Sequence, residues 1–266
     1  MNQATENEAR GAMTAKEATA IIQVRNLHKA FTLHTQGGIK LNVLSSMNLS
    51  VASGDCVALT GPSGAGKSTV LRCLYGNYLP QSGEILIRHK GRNVNLVGGE
   101  PRDILAVRRE TLGYVSQFLR VIPRVSALDL VSEPLRALGV SSNTARDRAA
   151  ALLTRLRIPE RHWSLAPATF SGGEQQRINI ARTMVVDYPA LLLDEPTASL
   201  DAGNRRTVID LILDARGRGA AIVGIFHDEE VRDAVCNLRH PVKIPELMSP
   251  GSEDTMEPGE IQGVAL

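Results

Sequence analysis

One eight-residue segment constrains the fold of this chain more than any other. It is Gly61–Ser68, which reads Gly-Pro-Ser-Gly-Ala-Gly-Lys-Ser and lies between an apolar run, Cys56–Thr60, and a helical pattern, Val70–Tyr75. Glycines let backbone N–H groups turn inward around an anion, and the N-terminus of the following helix adds partial positive charge. The strand–loop–helix order therefore predicts an α/β fold with a phosphate-binding loop at the end of a strand.

The residues of this loop are expected to share the binding of a nucleotide. Lys67 would reach the β- and γ-phosphates, and the hydroxyl of Ser68 would bind Mg²⁺. The alternative is a glycine-rich loop that carries a lysine by chance, and in a chain of this length such a match arises on the order of once in a hundred. The predicted nucleotide-binding residues of this segment are Gly61, Pro62, Ser63, Gly64, Ala65, Gly66, Lys67, Ser68 and Thr69.

Two adjacent carboxylates, Asp194 and Glu195, follow the apolar residues Leu191–Leu193. In nucleotide-hydrolysing proteins with a phosphate loop, an aspartate at a strand end holds the magnesium shell, so Asp194 is predicted as a metal ligand. Glu195 would polarise the attacking water as a general base. Two solvated acids at a strand end are the alternative. The position of the pair after Lys67 in the chain favours the functional interpretation.

Composition argues against several other classes of protein. The 266 residues carry 30 lysines and arginines against 28 acidic residues, which gives no indication of a nucleic-acid-binding surface. The three cysteines, Cys56, Cys73 and Cys236, lack metal-binding spacing and fit a reducing cytoplasm. The longest apolar run, Ala220–Phe226, is far shorter than the roughly 18 residues that span a bilayer, so no transmembrane segment is expected.

The remaining pattern predicts one large domain between two flexible ends. Residues 1–20 are expected to form a disordered leader, and residues 241–266 a flexible acidic tail. Within the domain, residues from about 118 to about 180 indicate a helical insertion in an α/β core, with an antiparallel β piece in front. Further strands are predicted at Ile21–Val24, Leu41–Leu44, Met47–Val51, Glu84–Ile87, Leu112–Ser116, Ala190–Asp194 and Ala221–Phe226, and helices at Ala127–Leu138, Thr144–Leu156 and after Ser171.

Together with a Ser-Gly-Gly turn at residues 171–173, these motifs resemble those of the ATP-binding-cassette (ABC) ATPases, from about residue 21 to about residue 240. The resemblance implies the P-loop NTPase fold of an ABC nucleotide-binding domain, with an N-terminal antiparallel β subdomain and an inserted helical subdomain. It also implies a Mg²⁺-dependent ATPase that closes as a homodimer, or as a heterodimer with another cassette protein, on ATP. In such a dimer Ser171, Gly172 and Gly173 would bind the γ-phosphate held by the opposite subunit.

The same resemblance assigns roles to three further residues. Gln117 matches the glutamine that contacts magnesium and the attacking water, and His227 matches the histidine that contacts the γ-phosphate. Phe31 lies where the family stacks an aromatic ring on adenine. The alternatives are a loop glutamine at a strand end, a histidine on a polar rim and a phenylalanine of the core. Ser199–Asp201 resembles the loop that couples the two sites of the dimer.

A closer resemblance is to the PhnL-type cassette proteins of the bacterial phosphonate carbon–phosphorus lyase pathway. It is carried most specifically by Phe118–Arg124, after Gln117, and by Tyr75–Pro80. It implies an ATPase subunit of a cytoplasmic complex that attaches ribose triphosphate to alkylphosphonates, with soluble lyase subunits as partners. Two alternatives stay open. One is the ATPase subunit of a membrane transporter for phosphonate import or lipoprotein release, which would place the chain at the inner membrane. The other is a scaffold whose assembly depends on ATP.

Overall fold

The computed structural model describes residues 19–33, 38–119 and 123–244. Almost all of the expected leader and most of the expected tail therefore lie outside the described residues. The described strands form two sheets. A four-stranded antiparallel sheet has the order β2-β1-β4-β5, and a five-stranded parallel sheet has the order β6-β7-β8-β3-β9. The strands are β1 Ala20–Leu33, β2 Ile39–Ala52, β3 Cys56–Thr60, β4 Ser82–His89, β5 Arg92–Asn95, β6 Leu112–Val115, β7 Ala190–Asp194, β8 Ala221–Ile225 and β9 Leu238–Pro241.

The parallel sheet is covered on both faces. Every residue of β7 and β8 is buried, as expected for strands that helices or a second sheet cover on each side. Because all its strands are parallel, their carboxyl ends meet at one edge. The segments that follow β3, β6, β7 and β8 therefore converge there, as is usual for ligand sites in open α/β sheets.

Seven α-helices are described, and three of them form the predicted helical insertion. The helices are α1 Lys67–Leu74, α2 Pro101–Glu110, α3 Ala127–Ala137, α4 Ser142–Arg155, α5 Gly172–Met184, α6 Ala202–Gly217 and α7 Glu229–Val235. In the insertion, α3, α4 and α5 bury Leu130, Leu153 and Ile178 against one another and against the parallel sheet. A second apolar cluster joins the antiparallel sheet to the other face of the parallel sheet and includes Ile22, Leu71 and Leu192.

The antiparallel sheet differs from its expected form in two ways. The two short strands predicted at 41–44 and 47–51 form one strand, β2, with irregular register opposite β1 near Ser46. Ser46 has a φ of 50°, so the left-handed residue bends the strand without ending it. In addition, β4 and β5 follow the phosphate loop in sequence, so the sheet is not built from the N-terminal segment alone.

Ordered chain also continues past residue 240, where the tail was expected to begin. β9 pairs with β3, and the backbone N–H of Val242 donates to the carbonyl of Thr60 at 2.8 Å. Val242 is buried, so the core includes a residue beyond position 240. None of the helices within the described ranges combines the length and apolar character that crossing a bilayer requires.

Candidate functional site

The phosphate loop joins β3 to α1 at the convergent edge of the parallel sheet. Its glycines Gly61, Gly64 and Gly66 have φ values of 139°, 79° and 91°. Residues other than glycine rarely adopt such positive φ values. A Cβ at Gly66 would also lie 2.7 Å from Cγ1 of Val43. The helix α1 begins after Gly66 without a side-chain cap, so a bound anion can be the partner of its first N–H groups.

Lys67 and Ser68 point along this loop from the first turn of α1. The ammonium of Lys67 donates to the carbonyl oxygens of Gly61 and Pro62, at 2.9 and 2.8 Å. The hydroxyl of Ser68 donates to Oδ1 of Asp194 at 3.4 Å. The cation and the metal-binding hydroxyl expected from the sequence thus lie on the same side of the loop, next to the end of β7.

Asp194 is the best candidate for a magnesium ligand in the described part of the chain. It is only 2% exposed, and this burial raises the pKa of its carboxyl group. The hydroxyl of Tyr114 donates to its Oδ2 at 3.2 Å. Mg²⁺ prefers oxygen ligands and binds through one or two protein groups together with substrate phosphates. The oxygens of Asp194 and Ser68, beside a phosphate loop, fit that requirement.

Glu195 brings together the three residues expected to act on water. Its φ is 52°, a left-handed conformation that is uncommon outside glycine, and its backbone N–H donates to the carbonyl of Ile225. Its Oε1 lies 2.6 Å from Nε2 of His227, and its Oε2 accepts from the side-chain amide of Gln117 at 3.4 Å. The carboxylate is therefore held from two sides by residues that follow two other strands, β6 and β8.

The Ser-Gly-Gly turn forms a separate part of the candidate site. The side chain of Ser171 accepts from the backbone N–H of Glu174, and the carboxylate of Glu174 accepts from the backbone N–H and the hydroxyl of Ser171. These hydrogen bonds, and His162 at 3.2 Å, hold the pKa of Glu174 below its usual value. The turn faces the loop after β7, where a Cβ at Gly173 would lie 3.0 Å from the carbonyl oxygen of Ser199.

Phe31 and the loop Ser199–Asp201, predicted to couple the two sites of the dimer, each have defined contacts in the structure. The ring of Phe31 packs edge-on against Tyr78, at 5.2 Å between centroids, and the ammonium of Lys29 lies 4.6 Å from its centroid. Its role toward adenine stays a prediction. In the loop after β7, Leu200 is buried and Asp201 caps α6 by accepting from the N–H of Asn204 at 2.8 Å.

Two features of the site were not predicted from the sequence. One is Tyr114, which reads as an ordinary strand residue three positions before Gln117. The other is a cavity of about 880 Å³ between the parallel sheet and the helical insertion, which we call the Gln117 cavity. Its walls include Arg72, Tyr75, Tyr114, Gln117, Phe118 and Arg182. The side chain of Phe118 is 77% exposed beside this cavity. An exposed aromatic residue next to a motif can indicate an interaction site.

This arrangement of loop, buried aspartate, glutamate and second glycine turn defines an ATPase domain of the P-loop class that works with Mg²⁺. The model of the ABC transporter family matches residues 44–198, more than half of the chain, and the chain belongs to that family. The predicted fold class, the ABC nucleotide-binding domain, and the predicted nature of the enzyme, an ATPase, are thereby confirmed.

Individual relatives agree with this assignment. The chain is 35% identical over 212 residues to the lipoprotein-releasing system ATP-binding protein LolD of Novosphingobium aromaticivorans, with 79% of this chain and 91% of that protein covered. It is 37% identical over 195 residues to an uncharacterized ABC transporter ATP-binding protein of Mycobacterium tuberculosis, which covers 73% of this chain but only 58% of that relative. The chain thus spans little more than half the length of this second relative.

A solved structure gives the same result for the fold. The dimeric post-hydrolysis state of the ATP-binding cassette MJ0796, bound to ADP and Pi, superposes with a TM-score of 0.75. The sequence identity is 28%, and the match covers 84% of this chain and 94% of the other.

Proposed function

We propose that this chain is the ATP-hydrolysing subunit of an ABC membrane transporter, and that it works as a dimer with a second copy or with a related cassette subunit. The proposal is supported by one relative named as an ABC transporter ATP-binding protein and by another named as the ATP-binding protein of a lipoprotein-releasing system, of which the chain covers 91%. The observation that carries the dimer is the likeness to a cassette that was solved as a dimer with ADP and Pi bound, to which this chain is 28% identical with a TM-score of 0.75.

In this proposal one subunit holds the nucleotide and the metal. The backbone N–H groups of the loop from Gly61 to Thr69 surround the phosphates, and the ammonium of Lys67 moves from the loop carbonyls to the β- and γ-phosphates. Ser68 and Asp194 hold Mg²⁺, with Gln117 as a further ligand. A bound Mg²⁺ would supply positive charge that neutralises the phosphate oxygens.

Glu195 is the proposed general base of the hydrolysis. A water oxygen attacks the γ-phosphorus, its proton passes to the Glu195 carboxylate, and the bond from the γ-phosphorus to the bridging oxygen breaks to leave ADP. His227 and Gln117, which already contact the two oxygens of Glu195, orient this carboxylate and the water. A general base contributes about 10²–10⁴-fold to a rate, and this is the contribution that we expect from the Glu195 carboxylate to the rate of ATP hydrolysis.

The second subunit completes the site in the proposed dimer. Ser171, Gly172 and Gly173 at the N-terminus of its α5 approach the γ-phosphate from the opposite side. A Cβ added at Gly172 would meet no atom within 4 Å, so this residue lies at an open surface of the described chain. A side chain there is tolerated by the protomer but would enter the space between two protomers.

Mixing two inactive variants tests this arrangement. Lys67→Ala removes the phosphate-binding cation, and Gly172→Asp places a negative charge where the partner's γ-phosphate would lie. Each variant alone should show little ATP hydrolysis. In an equimolar mixture, half of the dimers are mixed, and each mixed dimer keeps one site with both residues intact. The mixture should therefore recover about a quarter of the wild-type activity if the sites act independently.

The outcome distinguishes a shared site from a self-contained one. If both residues acted within one protomer, every site in the mixture would contain one defect and no activity would return. That result would overturn the dimer proposal. Gly172→Ala serves as the matched control, because it adds a Cβ at the same open position without the negative charge.

The partner of the proposed dimer is a segment of a membrane subunit that docks at the Gln117 cavity. Support comes from the exposure of Phe118 and from the position of the cavity beside Gln117, where movement of the partner can reach the catalytic glutamate. Phe118→Asp should abolish co-purification of a polytopic membrane protein while retaining ATP hydrolysis. Ile39→Asp, which changes an exposed residue of the other sheet, should retain both.

The phosphonate carbon–phosphorus lyase complex is the second candidate, because residues 118–124 resemble the corresponding segment of its cassette subunits. Of this segment, residues 120–122 lie outside the described part of the chain. Affinity purification from a cell extract with detergent-solubilised membranes distinguishes the two candidate functions. Recovery of soluble lyase subunits without a polytopic membrane protein would exclude the transporter and leave the lyase complex.

A further inference from the structure

We infer that Tyr114 is a positioning residue that holds the carboxylate of Asp194 in the orientation required for Mg²⁺. The inference rests on the proposed role of Asp194 as a metal ligand. Tyr114 lies in β6, which pairs with β7, and its residue opposite in the register is Leu192. From there its side chain reaches the end of β7, where the phenol hydroxyl donates to Oδ2 of Asp194 at 3.2 Å.

The two oxygens of Asp194 have different partners. Oδ2 accepts from Tyr114, whereas Oδ1 faces the hydroxyl of Ser68 at 3.4 Å. The Oδ1 contact is the longer of the two, and Ser68 is the other proposed metal ligand. Oδ1 is therefore the oxygen that faces the proposed metal site. The hydrogen bond from Tyr114 to Oδ2 prevents the carboxylate from rotating and presenting Oδ2 to the metal instead. A carboxylate that is 2% exposed has few other donors available to fix its orientation.

The ring of Tyr114 is itself held in place. It packs against the ring of Tyr75 with 4.9 Å between centroids and 41° between the ring planes, and the guanidinium of Arg108 lies 4.6 Å from the Tyr75 centroid. Arg108 also donates to the carbonyl oxygen of Tyr75 at 2.7 Å, which fixes this second ring. Because the contact with Tyr75 restricts rotation of the phenol ring, the hydroxyl of Tyr114 reaches Asp194 from one direction, as groups that orient metal ligands generally do.

The test is direct metal binding by the full-length Tyr114→Phe protein. Mn²⁺ is titrated in the presence of a non-hydrolysable ATP analogue and followed by electron paramagnetic resonance. Loss of an outer-shell partner typically lowers metal affinity about 10–100-fold, and a shift in the Mn²⁺ Kd of this size is expected. Affinity for the analogue in EDTA should stay within twofold of the wild type, since the hydroxyl of Tyr114 donates to Asp194, a proposed metal ligand, and not to the phosphate loop.

Tyr75→Phe is the matched control, because it removes a hydroxyl from the neighbouring ring and leaves the hydrogen bond from Tyr114 to Asp194 in place. Its Mn²⁺ affinity should equal that of the wild type. In hydrolysis assays, Tyr114→Phe should require more Mg²⁺ for half-maximal rate but approach the wild-type kcat at saturating Mg²⁺. A general structural defect would instead lower kcat at every Mg²⁺ concentration.

Two results would overturn the inference, and they differ in meaning. An unchanged Mn²⁺ Kd in Tyr114→Phe, or an equal loss of analogue affinity in EDTA, would show that Tyr114 does not position the metal ligand. Failure of the Asp194→Asn protein to lose Mn²⁺ affinity would remove Asp194 as the metal ligand, and with it both the proposed metal site and the role of Tyr114.

Discussion

Two helices of this protein begin with glycines expected to bind phosphate, yet their N-termini are built differently. α1 begins after Gly66, which has a left-handed φ, and it has neither a side-chain cap nor an acidic residue in its first turn. α5 begins after Ser171 and has a complete capping box with Glu174. The first terminus leaves its backbone N–H groups without side-chain partners, while in the second the N–H groups of Ser171 and Glu174 have side-chain partners within the same turn.

The difference between the two helix N-termini matches the subunit whose nucleotide each is proposed to bind. α1 lies inside the strand–loop–helix unit that is proposed to surround the nucleotide, so a ligand held by the same chain can satisfy its N–H groups. The α5 terminus lies at an open surface around Gly172 and would meet phosphate only when a second subunit arrives. A capped turn is stable without that subunit, and three predictions test whether this distinction holds.

The largest effect is expected at α1. Lys67→Ala should lower the rate of ATP hydrolysis by about 10²–10³-fold, since it removes the charged group that is proposed to bind the reacting phosphates. Measurement of phosphate release at saturating Mg·ATP gives the rate. Lys90→Ala is the control, because Lys90 is an exposed lysine paired with Glu110, and this variant should hydrolyse ATP normally. Normal hydrolysis by Lys67→Ala would mean that α1 does not bind the nucleotide.

An intermediate effect is expected from the same substitution at the two termini. Gly66→Ala should lower the free energy of unfolding by about 1–3 kcal/mol, because it strains a φ of 91° and brings a Cβ within 2.7 Å of Val43. Gly172→Ala should raise it by up to about 1 kcal/mol, because the added Cβ enters open space in a helical conformation. Urea unfolding of the two variants side by side measures both changes. Equal losses would remove the contrast between the two termini.

The smallest effect concerns the pH dependence of the α5 cap. Hydrogen bonds from Ser171 lower the pKa of Glu174 below its ordinary value of 4.5, so the ionised cap stabilises the folded state above that pH. This stabilisation is lost as the pH falls through the lower, folded-state pKa. Glu174→Gln should therefore unfold about 1 kcal/mol more easily at pH 7, and the difference from the wild type should shrink in acid.

Urea titrations of Glu174→Gln at pH 7 and at successively lower pH values test that sign. A difference in unfolding free energy that is independent of pH would show that the carboxylate charge does not contribute to the cap. Glu160→Gln, which changes another acidic residue of the helical insertion, should show no comparable dependence.

Most of the chemical site could be predicted because it depends on short motifs at the ends of parallel strands. Lys67, Gln117, Glu195 and His227 follow four different strands, and a parallel sheet brings their carboxyl ends to one edge. The contacts of Glu195 with His227 and Gln117 agree with that prediction. Their catalytic roles stay a prediction, as does the stacking of adenine on Phe31.

The parts that escaped prediction depend on contacts between segments distant in sequence. β5 and β9 have only four residues each, and β9 alternates half-buried and exposed residues, so neither has the continuous apolar run that identified β7 and β8. Tyr114 could not be distinguished from a core residue, since only the pairing of β6 with β7 places its hydroxyl at Asp194. A pattern along one strand contains no information about its neighbour.

The pairing of β9 has a practical consequence for anyone who shortens this protein. Val242 donates to Thr60, the residue before the phosphate loop, and its carbonyl oxygen lies where only a glycine at position 61 leaves room. A gene truncated after codon 240 would encode every nucleotide motif but remove this support. Such a fragment should bind a fluorescent ATP analogue more weakly than one that ends after Ile244, although neither cut touches a motif.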